Sequence, residues 1–173
     1  MSIIKAENIR LKQKVEDLEN RLINLVGSVK IFAAGTPDRE LEMNNNIAEI
    51  ISSGSELKIV APYITEEYAL ILQDRAKSGI KVQTVVNDRR LWPLEHQKLY
   101  DKLKNFPGVD VINNPNVQYL MVWCPEKVLC TSGPLSKDHL MKSILIGTLI
   151  NEKSKIRDMF KIFNLMLPSF MRD

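Results

Sequence analysis

Few side chains of this sequence could perform acid, base or nucleophilic chemistry. The 173 residues contain two histidines, His96 and His139, and two cysteines, Cys124 and Cys130. His96 lies in the polar run Glu95-His96-Gln97-Lys98 and reads as a surface residue. His139 follows a small-residue loop, but a general base needs a hydrogen-bonding partner, and the sequence identifies none. The cysteines have no second Cys or His pair at ligand spacing, so we expect reduced, partly buried thiols and no metal site.

The composition is that of an ordinary globular protein with one domain and an appendage. Apolar residues make up 45% of the chain, and the formal net charge is +3 with a pI near 8.8. This mild basicity is well short of the field expected of a dedicated nucleic-acid binder. The first turn is charged, and no stretch reaches about 18 uninterrupted apolar residues. We therefore expect a soluble cytoplasmic protein that does not enter a membrane.

The N-terminal segment carries a heptad pattern. Apolar residues and one asparagine recur at alternating spacings of four and three, which is typical of a coiled coil. Asn8 falls at an a position, where two amides hydrogen-bond only if the helices are parallel, in register and dimeric. The alternative is an amphipathic helix that folds back on its own domain. The seam positions are Ile4, Asn8, Leu11, Val15, Leu18, Leu22, Leu25 and Val29.

Charged residues beside the seam agree with a parallel pair of helices. In that arrangement Glu7 of one chain lies near Lys12 of the other, and Lys14 lies near Glu19. Exposed ion pairs contribute about 0.2–1 kcal/mol each, so they select orientation more than they stabilise. We expect residues 1–28 to form a parallel homodimeric coiled coil and residues 29–173 to form an α/β domain.

The rest of the chain alternates strands and helices in the manner of a parallel sheet. Thr36 and Pro37 predict the start of the first of these helices, which ends at Ser52-Ser53-Gly54. Thr65 caps a second helix, and Gly79 ends it. The predicted strands are 29–34, 57–61, 80–86, 109–112, two arms within 117–131, and 143–150. The later predicted helices are about 93–105, 137–141 and 153–167.

Ligands of such sheets bind outside the carboxyl ends of the strands. This rule places Tyr63, Asn87 and Arg89 near one rim, together with Thr36 and the asparagines at 113 and 114. Arginines beside an acid and several amides would suit a sugar or an anion. The simpler interpretation is that Arg89 and Arg90 belong to a solvated loop and that the asparagines are turn residues.

Residues 117–135 predict two strands around a tight turn, leading into the loop Thr131-Ser132-Gly133. Segments of this kind are frequent homes for active sites, yet this one carries almost no reactive side chain. What remains is a candidate ligand-binding edge formed by Gln118, Thr131 and Ser132.

Residues 57–86 resemble the first strand–helix–strand unit of the phospholipase D superfamily. The matching features are the apolar strand, its exit through Ala61-Pro62-Tyr63, the helix ending Ala76-Lys77-Ser78-Gly79, and the strand beginning Ile80-Lys81-Val82. The resemblance covers residues 29–167. It implies a mixed sheet flanked by helices.

The signature of that superfamily is His-x-Lys, four residues, Asp, six residues and Gly-Ser-x-Asn. With Ser132-Gly133 as the small-residue loop, the histidine falls on Gln118, the lysine on Leu120 and the aspartate on Pro125. Glutamine has no basic lone pair with which to form a covalent phosphoryl intermediate, and leucine cannot hold a phosphate charge. The resemblance therefore implies the fold of the superfamily without its catalysis.

A coiled coil followed by such a domain is similar to the carboxyl half of the TrmB-type archaeal transcriptional regulators. In those proteins a winged helix–turn–helix comes first, then a dimerising helix, then a phospholipase D-like domain that binds a sugar or other effector. The strand from Val29 to Phe32, Gly35 and the helix after it match that organisation. No winged helix precedes Met1, so direct DNA binding is not expected.

Three functions follow as hypotheses. The leading one is a non-catalytic dimeric module that senses a small polar ligand or supports a protein assembly, in a transcription-related setting by resemblance and without a cofactor. The second is a nucleic-acid-associated protein that uses the basic residues of the C-terminal helix. The third is a phosphodiesterase with a relocated nucleophile, in which His139 is essential. The basic residues are Lys153, Lys155, Arg157 and Lys161.

Overall fold

The structure, a computed structural model, describes residues 2–172. Within this range the helices are α1 (Ser2–Val26), α2 (Glu42–Ser53), α3 (Glu66–Lys77), α4 (Gln97–Lys104), α5 (Lys137–Lys142) and α6 (Lys153–Leu165). The strands are β1 (Val29–Ala34), β2 (Glu56–Ala61), β3 (Lys81–Val86), β4 (Val109–Asn113), β5 (Tyr119–Trp123), β6 (Val128–Ser132) and β7 (Leu145–Ile150). No helix in the described range is both long and apolar enough to cross a membrane.

The strands form one mixed sheet in the order β1-β7-β6-β5-β2-β3-β4. Strands β2, β3 and β4 are parallel neighbours, and the other pairings are antiparallel. The parallel part agrees with the strand and helix alternation of the sequence. Strand β1 departs from it, because β1 lies at the far edge beside β7 and does not pair with β2.

Helices cover both faces of the sheet. One core cluster lies between the sheet and α2, α3, α4 and α5, and includes Ile47, Tyr68, Leu103 and Leu140. A smaller cluster lies on the opposite face beneath α6. The predicted α/β fold, a mixed sheet flanked by helices, is confirmed.

The start of α2 was predicted wrongly. The helix begins at Glu42, and the segment from Thr36 to Arg39 is a turn in which the Arg39 N–H donates to the Thr36 carbonyl. Asp38 takes a positive φ of 69° in this turn, which a short polar side chain tolerates better than most. Thr36 and Pro37, which were predicted to begin the helix, therefore belong to a turn.

Helix α1 projects from the sheet with its seam in solvent. Leu11, Val15, Leu18 and Leu22 are each more than half exposed, so the helix does not fold back on its own domain. The last predicted seam position was wrong, because Val29 lies in β1. The helical seam therefore runs from Ile4 to Leu25.

The junction between α1 and β1 is held by Asn151. Its backbone N–H donates to the Ser28 carbonyl at 2.9 Å, and its Oδ1 accepts from both the N–H and the hydroxyl of Ser28. Gly27 has a φ of +90°, and a Cβ there would lie 2.5 Å from the Asn151 carbonyl oxygen. The junction therefore requires glycine, and it fixes the exit of α1 to the end of β7.

Candidate ligand-binding site

The strand pairings bring the predicted rim residues to one edge of the sheet. The carboxyl ends of β1, β2, β3, β4 and β6 meet there, together with the amino ends of β5 and β7. The loop after β6 crosses to the end of β2, where the Leu135 N–H donates to the Tyr63 carbonyl and the Thr65 N–H donates to the Leu135 carbonyl. This crossing closes one side of a cleft.

The cleft has a volume of about 520 Å³ and lies between the start of α3, the start of α4 and the start of α5. Thr65 occupies the N-cap position of α3, but its hydroxyl lies 3.4 Å from the Leu135 carbonyl and does not cap the helix. Ser136 caps α5 by accepting from the His139 N–H. The cleft is lined by Tyr63, Thr65, Glu66, Glu67, Glu95, His96, Lys98, Leu99, Lys102, Ser136 and Asp138.

An aromatic wall bounds this cleft. The rings of Tyr63 and His96 stack with centroids 5.6 Å apart and an interplanar angle of 20°. Trp92 lies behind Tyr63 and meets Tyr100 edge-on at 5.3 Å. Burial, and then the carboxylate of Glu95, raise the pKa of Tyr63. Its phenol therefore stays a neutral donor, and the rings offer a face to a sugar or to a cation.

The charges around the cleft do not favour an anion. Four carboxylates line it against two lysines, Lys98 and Lys102. Of the carboxylates, Asp138 pairs with Lys142 at 2.6 Å on the same helix. The sequence suggested a sugar or an anion at this rim. The acidic lining disfavours the anion and suits a neutral ligand such as a sugar, or a cation.

Asn87 and Arg89 lie at the predicted edge but are engaged elsewhere. The Asn87 side chain donates to the Val117 carbonyl and accepts from the Val117 N–H, so both ends of the amide hold the chain before β5. Arg89 donates to both carboxylate oxygens of Asp101 at 2.8 and 3.0 Å, which raises the pKa of the guanidinium. Arg89 therefore ties its exposed loop to α4, beside a separate cleft of about 460 Å³.

The positions that the resemblance assigned to catalysis do not converge. Gln118 is exposed just before β5, whereas Leu120 is completely buried in the core beneath α2 to α5. Pro125 lies in the turn at the other end of the β5–β6 hairpin, roughly 20 Å from Gln118 at about 3.3 Å per strand residue. An acid at position 125 would not reach a phosphate at position 118.

Gln118, Thr131 and Ser132 do not all lie on one face of the sheet. Neighbours along a strand point to opposite faces, so Thr131 lies opposite Leu120 on one face and Ser132 points to the other. The Thr131 hydroxyl donates to the Ile146 carbonyl at 2.9 Å. These three residues therefore do not all line one surface, whereas Tyr63 is the predicted site residue that lines the cleft of about 520 Å³.

His139 packs against the small-residue loop. Its Nδ1 lies 3.2 Å from the Ser143 hydroxyl, and its Nε2 is buried without a hydrogen-bond partner among the described residues. Gly133 has a φ of +89°, and a Cβ at that position would overlap the imidazole. The ring thus fills the space above the loop and does not open onto the cleft.

The thiols are poorly suited to chemistry. Burial raises the pKa of Cys124 and raises the pKa of Cys130 to about 11. Within residues 2–172 no three His, Cys, Asp or Glu side chains are grouped in a way that could hold a metal ion.

Similarity to known proteins is found in structure rather than in sequence. The domain superposes on NucT from Helicobacter pylori with a TM-score of 0.68 and 18% identity, over 80% of this chain and 96% of that one. Nuc from Salmonella typhimurium, a phospholipase D family member, gives 0.63 and 14%, over 80% and 94%. The chain has the phospholipase D-like fold. No protein-family model and no curated protein sequence matches it.

A third structure matches over more of this chain. TrmBL2, an archaeal chromatin protein whose structure shows a novel mode of DNA binding, gives a TM-score of 0.57 and 14% identity. The match covers 94% of this chain and 65% of TrmBL2. Because 94% exceeds the share of the chain that follows Val26, the likeness extends into α1. The predicted resemblance to TrmB-type proteins is thereby confirmed at the level of the fold.

The sequence indicated Tyr63 as a site residue, but it did not indicate the other residues that line the cleft. His96 was assigned to the surface, and Glu66, Glu67 and Ser136 were not predicted as site residues. These residues come from three separate helix starts. The crossing at Leu135 brings the starts of α3 and α5 together, and His96 at the start of α4 stacks on Tyr63. The one sequence feature that indicated this cleft was an aromatic residue, Tyr63, just after a predicted strand.

Proposed function

We propose that this protein is a non-catalytic, homodimeric phospholipase D-like module that binds a small polar ligand and relays its presence in a transcription-related setting. Residues 1–28 act as the dimerising segment, and residues 29–173 act as the ligand-binding domain. The observation that carries the proposal is the exposed heptad seam of α1. Hydrogen bonds between Ser28 and Asn151 join α1 to a domain whose catalytic positions hold Gln118, Leu120 and Pro125.

The absence of phosphodiesterase activity is supported by the surroundings of these residues. Leu120 is buried among apolar side chains, where a lysine would lose its hydration without gaining a partner. The imidazole of His139 is packed against Gly133 and offers no nucleophile to solvent. We therefore expect no turnover of a generic phosphodiester such as bis-p-nitrophenyl phosphate, and no difference between the natural protein and His139→Ala.

Dimerisation is supported by the amount of apolar surface on α1. Leu11 is 55% exposed and Leu18 is 56% exposed in the single chain, which is unfavourable for leucines unless a partner covers them. Asn8 at an a position selects a parallel dimer in register.

Light scattering of the full chain tests this part. We expect a dimer for the natural protein and for Gln13→Asp, which changes the outer side of the helix. The double substitution Leu11→Asp and Leu18→Asp places charges in the seam and should raise the dissociation constant at least about a hundredfold. A natural chain that is monomeric at all concentrations would exclude the coiled coil.

The ligand site is supported by the cleft at Tyr63. Its stacked aromatic wall and acidic lining suit a polar ligand that is neutral or positively charged, such as a sugar or an amine. Native mass spectrometry of the purified protein reports the subunit number and any retained small molecule in one spectrum. A retained mass that disappears in Tyr63→Ala would support the site, and one that persists in that variant would place the ligand elsewhere.

Nucleic-acid binding is the second candidate, favoured by four exposed basic residues on α6. These residues alternate with Glu152 and Asp158, so the local field is weak. Retention of duplex DNA that falls steeply with salt would support this function. Absence of a mobility shift at low salt would exclude it. The four residues are Lys153, Lys155, Arg157 and Lys161.

A further inference from the structure

The cleft between the starts of α3, α4 and α5 holds charges of both signs that do not pair with one another. Its carboxylates include Glu66 and Glu67 at the start of α3 and Glu95 just before α4. Its ammonium groups belong to Lys98 and Lys102 of α4. None of these five side chains takes part in an ion pair within residues 2–172. Both signs of charge are therefore available to a ligand.

The available charges of the cleft are unequal in number. The fourth carboxylate, that of Asp138, is held by Lys142 at 2.6 Å on the same helix. Three carboxylates thus face two lysines, which leaves one net negative charge at neutral pH. A complementary ligand has two cationic groups, one anionic group and a net charge of +1. The free amino acids lysine and arginine have this set of charges.

The turn before α4 and the first turns of that helix offer both signs of charge at short spacing. Glu95, Lys98 and Lys102 follow one another at spacings of three and four, and helical side chains so spaced are neighbours with Cβ atoms about 5–6 Å apart. In an α-amino acid the ammonium and the carboxylate are attached to the same carbon, so their partners must lie this close together. Glu95 is thus suited to the α-ammonium group and the lysines to the α-carboxylate.

The aromatic wall and the start of α3 suit a cationic side chain. Tyr63 and His96 stack with their ring centroids 5.6 Å apart, and a cation near the face of an aromatic ring is attracted by its π electrons. Leu99 lines the same cleft and packs against the large core, so it offers an apolar contact to methylene groups. Glu66 and Glu67 provide negative charge for a cation at the end of such a chain.

The cleft also contains a buried hydrogen-bond donor that lacks an acceptor. Ser136 is 7% exposed, and its hydroxyl oxygen accepts from the His139 N–H. Within the described part of the chain the proton of this hydroxyl has no acceptor. A buried donor without an acceptor is unfavourable, and an acceptor atom of a ligand would remove this cost. The cleft volume of about 520 Å³ also lies within the range of roughly 300–1,000 Å³ that is usual for small-molecule sites.

We propose that the ligand of this cleft is a free α-amino acid with a cationic side chain, of the class of lysine and arginine. Glu95 binds its α-ammonium group, and Lys98 and Lys102 bind its α-carboxylate. Glu66 and Glu67 bind the side-chain cation beside the aromatic wall. This inference rests on the proposed ligand-binding function and names the class of the ligand. A sugar or a simple amine would use only some of these groups.

Isothermal titration calorimetry of the full chain with L-lysine and with L-arginine tests the ligand class. Three analogues of L-lysine each lack one charge. Cadaverine lacks the α-carboxylate, 6-aminohexanoate lacks the α-ammonium group, and L-norleucine lacks the side-chain cation. Each analogue should bind at least about tenfold more weakly than the tighter of the two amino acids, because each has lost a charge-assisted hydrogen bond. No binding of either amino acid would overturn the inference.

Substitutions in the cleft assign the separate charges. Lys102→Gln should weaken the binding of L-lysine at least about fivefold and leave that of cadaverine within about twofold, since cadaverine has no carboxylate. Glu67→Gln should weaken the binding of L-lysine and leave that of L-norleucine unchanged, since norleucine has no side-chain cation. The matched controls are Lys81→Gln and Glu126→Gln, because both residues are exposed at the opposite end of the sheet. These controls should leave the affinity for L-lysine within about twofold of the natural value.

The outcomes separate this inference from the proposed function. If cadaverine binds as tightly as L-lysine, or if D-glucose binds and neither amino acid does, and Tyr63→Ala abolishes that binding, the ligand-binding function stands and the amino acid is wrong. Binding of L-lysine that is unchanged in both Lys102→Gln and Glu67→Gln would place it outside this cleft and overturn the inference. If none of these compounds binds and native mass spectrometry shows no retained mass, both the inference and the ligand-binding function are wrong.

Discussion

Replacing Lys58 with alanine should lower the free energy of unfolding by about 3–5 kcal/mol. The side chain is completely buried beneath α6. Its Nζ donates to Gln83 Oε1 at 2.6 Å and lies 2.9 Å from Glu56 Oε1. The rings of Phe160, Phe163 and Trp123 surround the same ammonium at 5.0, 5.3 and 5.8 Å.

The magnitude follows from what alanine removes. Three methylenes leave the core, at about 0.8 kcal/mol each. The Gln83 amide oxygen loses its donor, which costs about 1–3 kcal/mol for a buried acceptor. Glu56 is 30% exposed, so water compensates for the loss of its partner.

Lys58→Met separates packing from charge. Methionine keeps most of the side-chain volume and the contacts with the three rings, but it leaves the Gln83 acceptor without a donor. We expect the free energy of unfolding to fall by about 1–2 kcal/mol. The loss is smaller than for alanine because removing the buried charge also removes the free-energy cost of its desolvation.

Urea unfolding followed by tryptophan fluorescence measures these differences. Protein concentration must be held fixed, since the stability of a dimer depends on it. Lys142→Ala is the matched control, because its side chain is 75% exposed and pairs only with Asp138, and it should change stability by less than about 0.5 kcal/mol. A Lys58→Ala protein within about 1 kcal/mol of the natural one would mean that the ammonium reaches water, contrary to this structure.

Further outcomes are expected at the thiol and at the loop after β6. Because burial raises the pKa of Cys130 from 9.0 to about 11, its reaction with a disulfide reagent at pH 8 should be about a hundredfold slower than that of an ordinary thiol. The folded state holds this proton more tightly than the unfolded state, so stability should fall as the pH rises from about 9 to 11 in calorimetry, and less so in Cys130→Ala. Gly133→Ala should lower the melting temperature more than Gly79→Ala, since both have positive φ but only the first would overlap His139. Equal decreases in melting temperature would show that the His139 imidazole moves away from a Cβ at position 133 at little cost in free energy.

Most of the secondary structure could be predicted because local signals and packing agree. Five strands lie within two residues of their predicted bounds, because glycine and proline turns interrupt their apolar runs. The two arms predicted within 117–131 are β5 and β6, and β6 ends one residue later, at Ser132. Gly79 ends α3 with a φ of +86°, as its position suggested. The start of α2 could not be predicted, because Thr36 and Pro37 suit a turn as well as a helix.

The cleft and the buried lysine depend on contacts between distant parts of the chain. Tyr63 and His96 stack although 33 positions separate them. Lys58 lies in the predicted strand 57–61, and its burial follows from Phe160 and Phe163, which pack over it from α6. No local pattern reports such a contact.

Disulfide formation between two copies of α1 tests the central claim most directly. In a parallel dimer in register, residue 11 of one helix faces residue 11 of the other, close enough for a disulfide, whereas residue 13 points outward. Under mild oxidation, Leu11→Cys should give a covalent dimer of twice the 19.8 kDa chain on a non-reducing gel, and Gln13→Cys should remain single. Failure of Leu11→Cys to link, or equal linking of both variants, would contradict the parallel coiled coil.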